Sequence, residues 1–507
     1  MKKKINDFEV IVQAGGRGSR LRHFTWNKPK CLVSYNGKPV IYHLFDKFKN
    51  SNFHIIADYQ VAKIKKYFLI SPPNSIYKIY KTKDKGTCSG IKKVLENIDR
   101  NKKILIIWSD LIINNLPLTN KSPTIYTTSS FMCRWSINNK FIREIPSQKN
   151  GIPGIFYFKN KNILEKLPKS GEFVKWYSNN VKKFNLTNIE NLKELGDFST
   201  LENSYNKIGY GRFFNKIDIN KNYVTKKALN DNYQYLIENE KNWYSEVSKL
   251  NFKNIPKIYS KNPYKMEKIH GSHIFEISNL DKKKLRKILE NIFISLENLH
   301  SKKEIPSSKK EIKNVYIEKT FKRLKSVSKI IPNFSSADTF TINGVKCKNF
   351  FYKRNVEVFK DISESLYQKK FNPIHGDPTF SNIIINKQLK PIYIDPRGYF
   401  AKEKSIFGDT YYDFSKVYYS LIGNYDAFNR RKFKLYIDNN NIEIMMDKIY
   451  PDNSEDLFKD YFKSKIKNIE IIHSLIWLSL SGYVKDDIDS ILASFYNGIY
   501  WMNRALD

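Results

Sequence analysis

A glycine-rich loop at the end of an apolar run is the feature that most restricts how this chain folds. Residues 9–12 (EVIV) form the run, and residues 13–21 (QAGGRGSRL) follow it directly. Gly15, Gly16 and Gly18 leave the loop amides open to a ligand that a Cβ atom would block, so the loop can form a nest for an anion. It lacks the Gly-Lys-Ser/Thr ending of a Walker A loop.

The first 208 residues alternate between apolar runs and amphipathic stretches. The pattern predicts strands at residues 53–57 and 103–108 and a helix at residues 39–48. Continuous apolar runs such as KILIIW (residues 103–108) are typical of strands buried on both faces of a parallel sheet. The alternation therefore predicts an α/β, Rossmann-like, doubly wound domain over residues 1–208.

A second pattern begins after Gly209 and Gly211, which mark a junction. The elements predicted beyond it are strands at 223–229 and 265–269, helices at 233–250 and 280–300, and mainly helix after 410. This order predicts a bilobal α+β unit, with a small lobe over residues 209–271 and a helical lobe over residues 272–507. Residues 301–347 are rich in Lys and Ser and are expected to be partly loop.

Composition excludes several classes of protein. Cys31, Cys88, Cys133 and Cys347 lack the spacing of a disulfide framework or a zinc site. No stretch predicts a signal peptide or a membrane span, so a cytoplasmic location is expected. The net charge of +38 is spread along the 507 residues, and the sequence contains no recognised nucleic-acid-binding motif. No specific nucleic-acid partner is therefore predicted. The sequence leaves the oligomeric state open.

The glycine loop is followed by residues 27–30 (NKPK). Together they resemble the sugar-phosphate nucleotidyltransferase family, whose loop reads GGxGxRL and precedes a PK pair. The resemblance continues in order through five further elements, namely residues 85–87 (KGT), Asp110, residues 144–146 (EIP), residues 171–172 (GE) and residues 196–202 (GDFSTLE).

This resemblance implies a role for each matching residue. The residues implied are Arg20 and Lys30 for catalysis, Gly15, Gly16, Gly18, Gly86 and Thr87 for the nucleotide, Asp110 and Asp197 for Mg²⁺, and Glu144 and Glu172 for the acceptor. Two positions depart from the family pattern. Ser109 replaces a glycine before the metal aspartate, and Ile145 stands where the family has an acceptor-binding lysine. Either Lys175 substitutes for that lysine, or the acceptor is not an ordinary hexose 1-phosphate.

A second set of polar residues lies in residues 375–382 (HGDPTFSN) and 394–398 (IDPRG). Asp377 can accept the proton of a substrate hydroxyl, Asn382 can reach Mg²⁺, and Asp395 can bridge metal and phosphates. The HGDxxxxN form resembles the aminoglycoside phosphotransferase and choline kinase superfamily. The resemblance covers about residues 210–500.

In the same superfamily resemblance, Lys226 or Lys227 would contact the ATP phosphates, Glu240 would pair with that lysine, and Glu267 would lie in the adenine hinge. Arg397 follows Asp395 where choline kinases usually carry other residue types. It implies an acceptor that bears hydroxyls or negative charge.

The two halves predict a bifunctional enzyme that needs Mg²⁺. ATP would phosphorylate a small sugar or polyol, and a second NTP (CTP, UTP, GTP or dTTP) would then activate the phosphate as a precursor for surface polysaccharide. One alternative is a choline or ethanolamine kinase joined to a cytidylyltransferase. An alternative of another class is a regulatory or scaffold protein with degenerate sites.

Overall fold

A computed structural model describes residues 8–82, 86–206, 215–401 and 404–507, without the side chains of residues 354 and 355. The chain divides into two compact units, Met1–Tyr205 with Lys485–Asp489, and Asn206–Val484 with Ser490–Asp507. Lys85 and the predicted junction at Gly209 and Gly211 lie outside the described residues. Within the described ranges, no helix is both long and apolar enough to cross a membrane.

The first unit is built on a seven-stranded sheet. The strands of the unit are β1 (Glu9–Gln13), β2 (Ser34–Tyr35), β3 (Lys38–Pro39), β4 (Asn52–Ile56), β5 (Tyr77–Tyr80), β6 (Ile104–Trp108), β7 (Leu111–Ile113), β8 (Thr124–Thr127), β9 (Ser136–Asn138), β10 (Phe141–Arg143), β11 (Ile155–Phe158), β12 (Asn185–Asn188) and β13 (Leu192–Glu194). Its helices are α1 (Val40–Lys47), α2 (Val61–Ile70), α3 (Thr87–Leu95), α4 (Phe173–Asn180) and α5 (Phe198–Asn206). The sheet order is β12-β8-β11-β6-β1-β4-β5, and all strands run parallel except β11.

The predicted α/β, parallel-sheet architecture of this unit is confirmed, as are its predicted strands and α1. The apolar runs lie in the centre of the sheet, where Val10, Ile11 and Val12 are fully buried in β1. Burial on both faces explains why these runs are continuous rather than alternating. Because β1, β4 and β6 are parallel neighbours, the loops that follow them emerge at one edge of the sheet.

The second unit begins with a four-stranded antiparallel sheet of order β14-β15-β17-β16 and continues mainly with helices. Its strands are β14 (Asn215–Ile219), β15 (Tyr223–Ala228), β16 (Ile258–Lys261), β17 (Tyr264–Glu267), β18 (Ile305–Pro306), β19 (Thr339–Ile342), β20 (Val345–Lys348), β21 (Lys370–Pro373), β22 (Ile383–Ile385), β23 (Pro391–Tyr393), β24 (Phe407–Gly408), β25 (Phe433–Asp438) and β26 (Asn441–Met446). Its helices are α6 (Gln234–Lys249), α7 (Lys282–His300), α8 (Lys309–Lys313), α9 (Lys319–Lys325), α10 (Val358–Ser365), α11 (Thr410–Leu421), α12 (Tyr425–Asn429), α13 (Ser454–Phe462), α14 (Ile466–Ser481) and α15 (Ile488–Leu506).

The predicted strand at 223–229 and the helices at 233–250 and 280–300 are confirmed as β15, α6 and α7. The segment 301–347 is more regular than expected, because it contains α8, a π-helical turn, α9, β19 and β20. Its apolar residues explain this regular structure, because Ile312, Tyr316 and Leu324 are buried at helical spacing between exposed lysines. Residues Lys485–Asp489, expected in the helical lobe, instead group with the first unit.

Candidate active sites

The glycine loop and Asp110 emerge at the same edge of the sheet. The last residue of β1 is in register with Trp108 of β6, and the Ser109 amide donates a hydrogen bond to the Gln13 carbonyl at 3.2 Å. Gly18 has a φ of 72°, and a Cβ there would lie 3.0 Å from Cβ of Lys30. The loop thus folds closely over the segment that carries Lys30, and only glycine fits at position 18.

Charged side chains converge beside this loop. Lys30 forms an ion pair with Asp110, and Arg20 lies 3.4 Å from Glu194. Burial, followed by the neighbouring charge of Asp110, raises the pKa of the Glu194 carboxyl. Glu194 is brought here because β13 pairs with β7, which places it opposite Leu111, the residue after Asp110. No sequence motif predicts Glu194 as a site residue, since its position depends on the pairing of β13 with β7.

Asp197 directly precedes α5 and lies close enough to this cluster to raise the pKa of Glu194. Its carboxylate accepts hydrogen bonds from the Ser199 hydroxyl at 2.6 Å and from the Thr200 amide at 2.9 Å. Partial burial opposes the charge of Asp197, but these hydrogen bonds outweigh it and lower its pKa. Among the described residues, no group of three or more His, Cys, Asp or Glu is arranged to hold a metal ion by itself. The carboxylates still suit Mg²⁺, which commonly takes one or two protein carboxylates together with substrate phosphates.

Two predicted motifs meet where α3 begins. The Gly171 carbonyl accepts from the Cys88 amide at 3.0 Å, and the Thr87 hydroxyl accepts from the Phe173 amide at 2.7 Å. Gly86 has a φ of 96°, and a Cβ there would lie 2.3 Å from the Gly171 carbonyl oxygen. Gly86 and Thr87 are therefore held directly against the GE element.

The carboxylates predicted for the acceptor share a cation that the sequence analysis did not assign. Arg134 forms an ion pair with Glu144 and lies 3.4 Å from Glu172. Glu172 also accepts a hydrogen bond from the Trp135 indole at 3.1 Å. Lys175 is exposed on α4.

Lys28, in the NKPK segment, is buried among carboxylates. It forms an ion pair with Asp489 and lies 2.9 Å from Asp487, and Asn27 donates to Asp489 at 3.2 Å. Burial opposes the charge of Lys28, but the two aspartates outweigh it and raise its pKa. This cluster explains why residues Lys485–Asp489 group with the first unit.

In the second unit, Lys226 connects two of the predicted acidic residues. Its ammonium lies 2.8 Å from Glu240 and forms an ion pair with Asp395. The Tyr264 hydroxyl also donates to Glu240 at 3.1 Å. Lys227 points outward and is exposed. Of the two candidate lysines, only Lys226 is thus brought to Asp395.

The HGDPTFSN segment forms a compact loop. The Asn382 amide group donates to the Asp377 carbonyl at 2.7 Å and to its carboxylate at 3.2 Å. The Ile394 amide, next to Asp395, donates to the Asn382 carbonyl at 2.9 Å. Lys416, which the sequence analysis missed, lies 3.0 Å from the Asp377 carboxylate. Asp377, Asn382 and Asp395 are therefore held in one network.

Asp413 of α11 also holds this loop in place, although no sequence motif predicts it as a site residue. Its carboxylate accepts from the amides of His375 and Gly376 at 2.8 and 2.7 Å and lies 3.1 Å from Nε2 of His300. Asp409 and Asp413 lie four residues apart at the start of α11, where acidic residues are common. The sequence therefore does not predict that Asp413 binds the loop amides. The Glu267 carboxylate accepts a hydrogen bond from the Lys257 amide at 3.0 Å, so Glu267 stabilises the neighbouring backbone.

Comparison with known proteins bears on the first unit. Residues 9–122 match the family model described as nucleotidyl transferase. The chain is similar to the bifunctional protein GlmU of Methanocaldococcus jannaschii, with 28% identity over 21% of this chain and 26% of that protein. It is also similar to GlmU of Methanococcus maripaludis strain C7, with 26% identity over 41% of this chain and 55% of that protein. The structure of HddC from Yersinia pseudotuberculosis aligns with 40% of this chain and all of that chain, at 20% identity and a TM-score of 0.35.

The N-terminal part of the chain is therefore related to nucleotidyltransferases, which confirms that half of the resemblance drawn from its motifs. The matched stretches amount to about a quarter and about half of the two GlmU proteins. The kinase-like resemblance of the second unit stays a prediction.

Proposed function

We propose that this protein is a bifunctional enzyme in which a small-molecule kinase and a nucleotidyltransferase act in succession. The network that joins Lys226, Glu240 and Asp395, with Asn382 against Asp377, carries the kinase part of the proposal. The match over residues 9–122 and the Lys30–Asp110 pair at the glycine loop support the nucleotidyltransferase part.

At the first site, an oxygen of the acceptor phosphate attacks the α-phosphorus of an NTP, and pyrophosphate leaves with the electron pair of the broken bond. The reaction needs alignment and charge neutralisation more than covalent help from the protein. The loop amides at Gly15, Gly16 and Gly18 bind the triphosphate, while Arg20 and Lys30 neutralise the α-phosphate and the leaving group. Asp110, Glu194 and Asp197 would hold Mg²⁺, which would supply further charge neutralisation.

At the second site, the acceptor hydroxyl attacks the γ-phosphorus of ATP, and ADP leaves. Asp377 receives the hydroxyl proton, and Lys226, oriented by Glu240, binds the phosphates of ATP. Asn382 and Asp395 would hold Mg²⁺, which neutralises phosphate charge. The phosphorylated product then serves the first site.

A sugar or sugar-like polyol is the proposed acceptor class, and the NDP-linked product suits surface polysaccharide assembly. The base of the second NTP stays open among CTP, UTP, GTP and dTTP. The amino-alcohol alternative would give a CDP-linked product. The scaffold alternative would give no product.

The test separates the two activities by mutation. Asp377→Ala is expected to lower ATP-dependent phosphorylation by about 10²–10⁴-fold, because the proton acceptor is lost. Nucleotidyl transfer to a supplied sugar phosphate should persist in that variant, and Asp110→Ala should show the reverse pattern. Mass spectrometry of the products with Mg²⁺, ATP and the other NTPs is the measurement. Loss of both activities in either variant contradicts two independent sites.

A further inference from the structure

Four cationic side chains of the second unit lie close to one another, and one of them, Lys416, lies 3.0 Å from Asp377. They come from three elements, and the set consists of Lys319 and Arg323 on α9, Arg397 after Asp395, and Lys416 on α11. All four are half-buried, so each is partly withdrawn from water but still reachable by a ligand. We call this set the cationic cluster.

Backbone contacts bind part of the cluster to the loop that carries Asp377. The Arg397 amide donates to the His375 carbonyl at 3.0 Å, and a Cβ on Gly376 would lie 2.9 Å from Cβ of Arg397. The Arg397 guanidinium donates to the Tyr412 hydroxyl at 2.8 Å. Lys416, one turn further along α11 than Tyr412, reaches the Asp377 carboxylate at 3.0 Å. Arg397 and Lys416 therefore flank the group that would receive the hydroxyl proton.

The cluster has few negative partners. Over the described ranges of the chain, the Lys416–Asp377 contact is the one ion pair that any of its four members makes. Arg323 donates instead to the Ser479 hydroxyl at 2.9 Å. Four half-buried cations around the single carboxylate of Asp377 repel one another and lose hydration, which is unfavourable unless a further anion binds among them.

The pKa values of Lys319 and Tyr399 reflect the cations around them, whereas Tyr412, Tyr399 and Asp377 outweigh burial and raise the pKa of Arg397. Burial, together with the neighbouring charges of Arg397, Arg323 and Lys416, holds the pKa of Lys319 well below its usual value. The Arg397 charge lowers the pKa of Tyr399, whose ring lies 4.6 Å below the guanidinium. The Lys319 ammonium would thus gain from a bound anion.

The aromatic rings beside Asp377 already face cations of the protein. The Lys416 ammonium lies 5.8 Å from the ring centre of Tyr412 and 5.2 Å from that of Tyr419. Arg397 lies over Tyr399 and within 5.8 Å of the Tyr412 ring centre. A quaternary or primary ammonium substrate needs such ring faces or carboxylates free. The site therefore disfavours choline and ethanolamine.

We infer that the acceptor, whose hydroxyl proton passes to Asp377, is a small hydroxyl compound that itself carries an anionic group. The cationic cluster binds that anionic group. The shared chemistry is an anionic polyol, either a hydroxy acid or a polyol phosphate. The acceptor hydroxyl oxygen forms a bond to the γ-phosphorus of ATP, the bond from that phosphorus to the bridging oxygen breaks, ADP takes the electron pair, and the proton passes to Asp377. This inference rests on the kinase function proposed above.

The test compares acceptors that differ in charge, using the full chain with Mg²⁺ and ATP. The acceptors are glycerol, glycerate, glycerol 3-phosphate, glucose, gluconate, glucose 6-phosphate and choline, and phosphorylated products are read by mass spectrometry. Glycerate or gluconate as the better substrate would identify a hydroxy acid, and glycerol 3-phosphate or glucose 6-phosphate a polyol phosphate. Lys319→Met and Arg323→Met are each expected to raise KM for the anionic acceptor by about 10- to 100-fold, because each removes a charged contact. Arg323→Lys should restore part of the binding.

Lys322→Met is the matched control, since Lys322 is exposed on the same helix. It should leave KM unchanged. Phosphorylation of glycerol, glucose or choline with kcat/KM equal to that of the anionic partners would overturn the inference and leave the kinase function standing. If no acceptor reacts, calorimetry with glycerate and inorganic phosphate decides: no binding, or equal binding to the wild type and Lys319→Met, overturns the inference. Absence of Mg-ATP binding in the same titrations would instead overturn the kinase function.

Discussion

Glu194 shows how a single carboxylate can join a site without belonging to a motif. It faces Arg20 at 3.4 Å, and its pKa is raised first by burial and then by Asp110. The charged form of a buried carboxylate is unfavourable beside a second carboxylate unless cations lie close to both. Lys30 and Arg20 are those cations. When NTP and Mg²⁺ bind, Mg²⁺ would replace Lys30 and Arg20 as the partner of Asp110 and Glu194, and the two cations would contact the phosphates.

Glu194→Gln keeps the shape of this side chain and removes its charge. Because Glu194 stands beside Asp110 and Arg20, nucleotidyl transfer should fall by about 10- to 100-fold, the usual cost of losing a group that supports a metal site. Pyrophosphate release with a supplied sugar phosphate measures the effect across a Mg²⁺ titration. Glu190→Gln, at an exposed position shortly before it, is the control. Equal activity of both variants would remove Glu194 from the site.

At the scale of elements, α14 buries a histidine in an apolar and aromatic environment. His473 packs edge-on against Tyr418 and Trp501, each at a ring-centre distance of 5.0 Å. Neither ring nitrogen has a hydrogen-bond partner among the residues that the structure describes. Burial, then the charges of Arg504 and Lys416, hold the pKa of His473 well below its usual value. The folded second unit thus contains the neutral imidazole.

This burial predicts acid sensitivity of the second unit. The unfolded chain binds a proton on His473 near pH 6.5 and the folded chain only at much lower pH, so this group destabilises the fold increasingly below pH 6.5, by up to about 1.4 kcal/mol per pH unit. In His473→Leu that component is absent. Urea unfolding followed by tryptophan fluorescence at pH 7.5, 6.0 and 5.0 measures the difference from wild type.

His270 is exposed, and His270→Leu serves as the matched control substitution. A wild-type pH dependence that His473→Leu fails to reduce would contradict the prediction.

At the scale of the whole molecule, the first unit is discontinuous in sequence. Its NKPK segment is completed by Asp487 and Asp489, which lie about 460 residues further along the chain. Lys28 is 2% exposed, and its charge depends on those two aspartates. Neighbouring Lys30 belongs to the candidate site, so the same segment links a buried ion cluster to that site.

Lys28→Met removes the buried cation that pairs with Asp487 and Asp489. Breaking a buried ion pair in this way costs about 3–5 kcal/mol of stability. Hydrogen exchange of the β1 amides measures the loss within the first unit. Lys49→Met, which alters an exposed lysine near α1, should change exchange by less than about 0.5 kcal/mol. Unchanged protection of β1 in Lys28→Met would show that the cluster contributes nothing to stability.

The sequence by itself determined the local structures whose signal lies in adjacent residues. The apolar runs of β1 and β6, the glycine at position 18, and the helical periodicity of α6 and α7 follow from burial and backbone sterics within a few residues. The order of the NKPK, KGT and GE motifs likewise indicated a nucleotidyltransferase-like first unit. The HGDPTFSN spacing predicted which polar groups of the second unit lie together, because a loop of eight residues leaves few arrangements.

Only the tertiary structure decided which distant side chains complete these sites. Glu194 depends on the pairing of β13 with β7, Asp413 on the packing of α11 under the loop, and the partners of Lys28 on a segment near the other end of the chain. The choice of Lys226 over Lys227 depends on which face of β15 is buried. The physical reason is that charge neutralisation and burial are properties of three-dimensional proximity, and sequence patterns record proximity only over short separations.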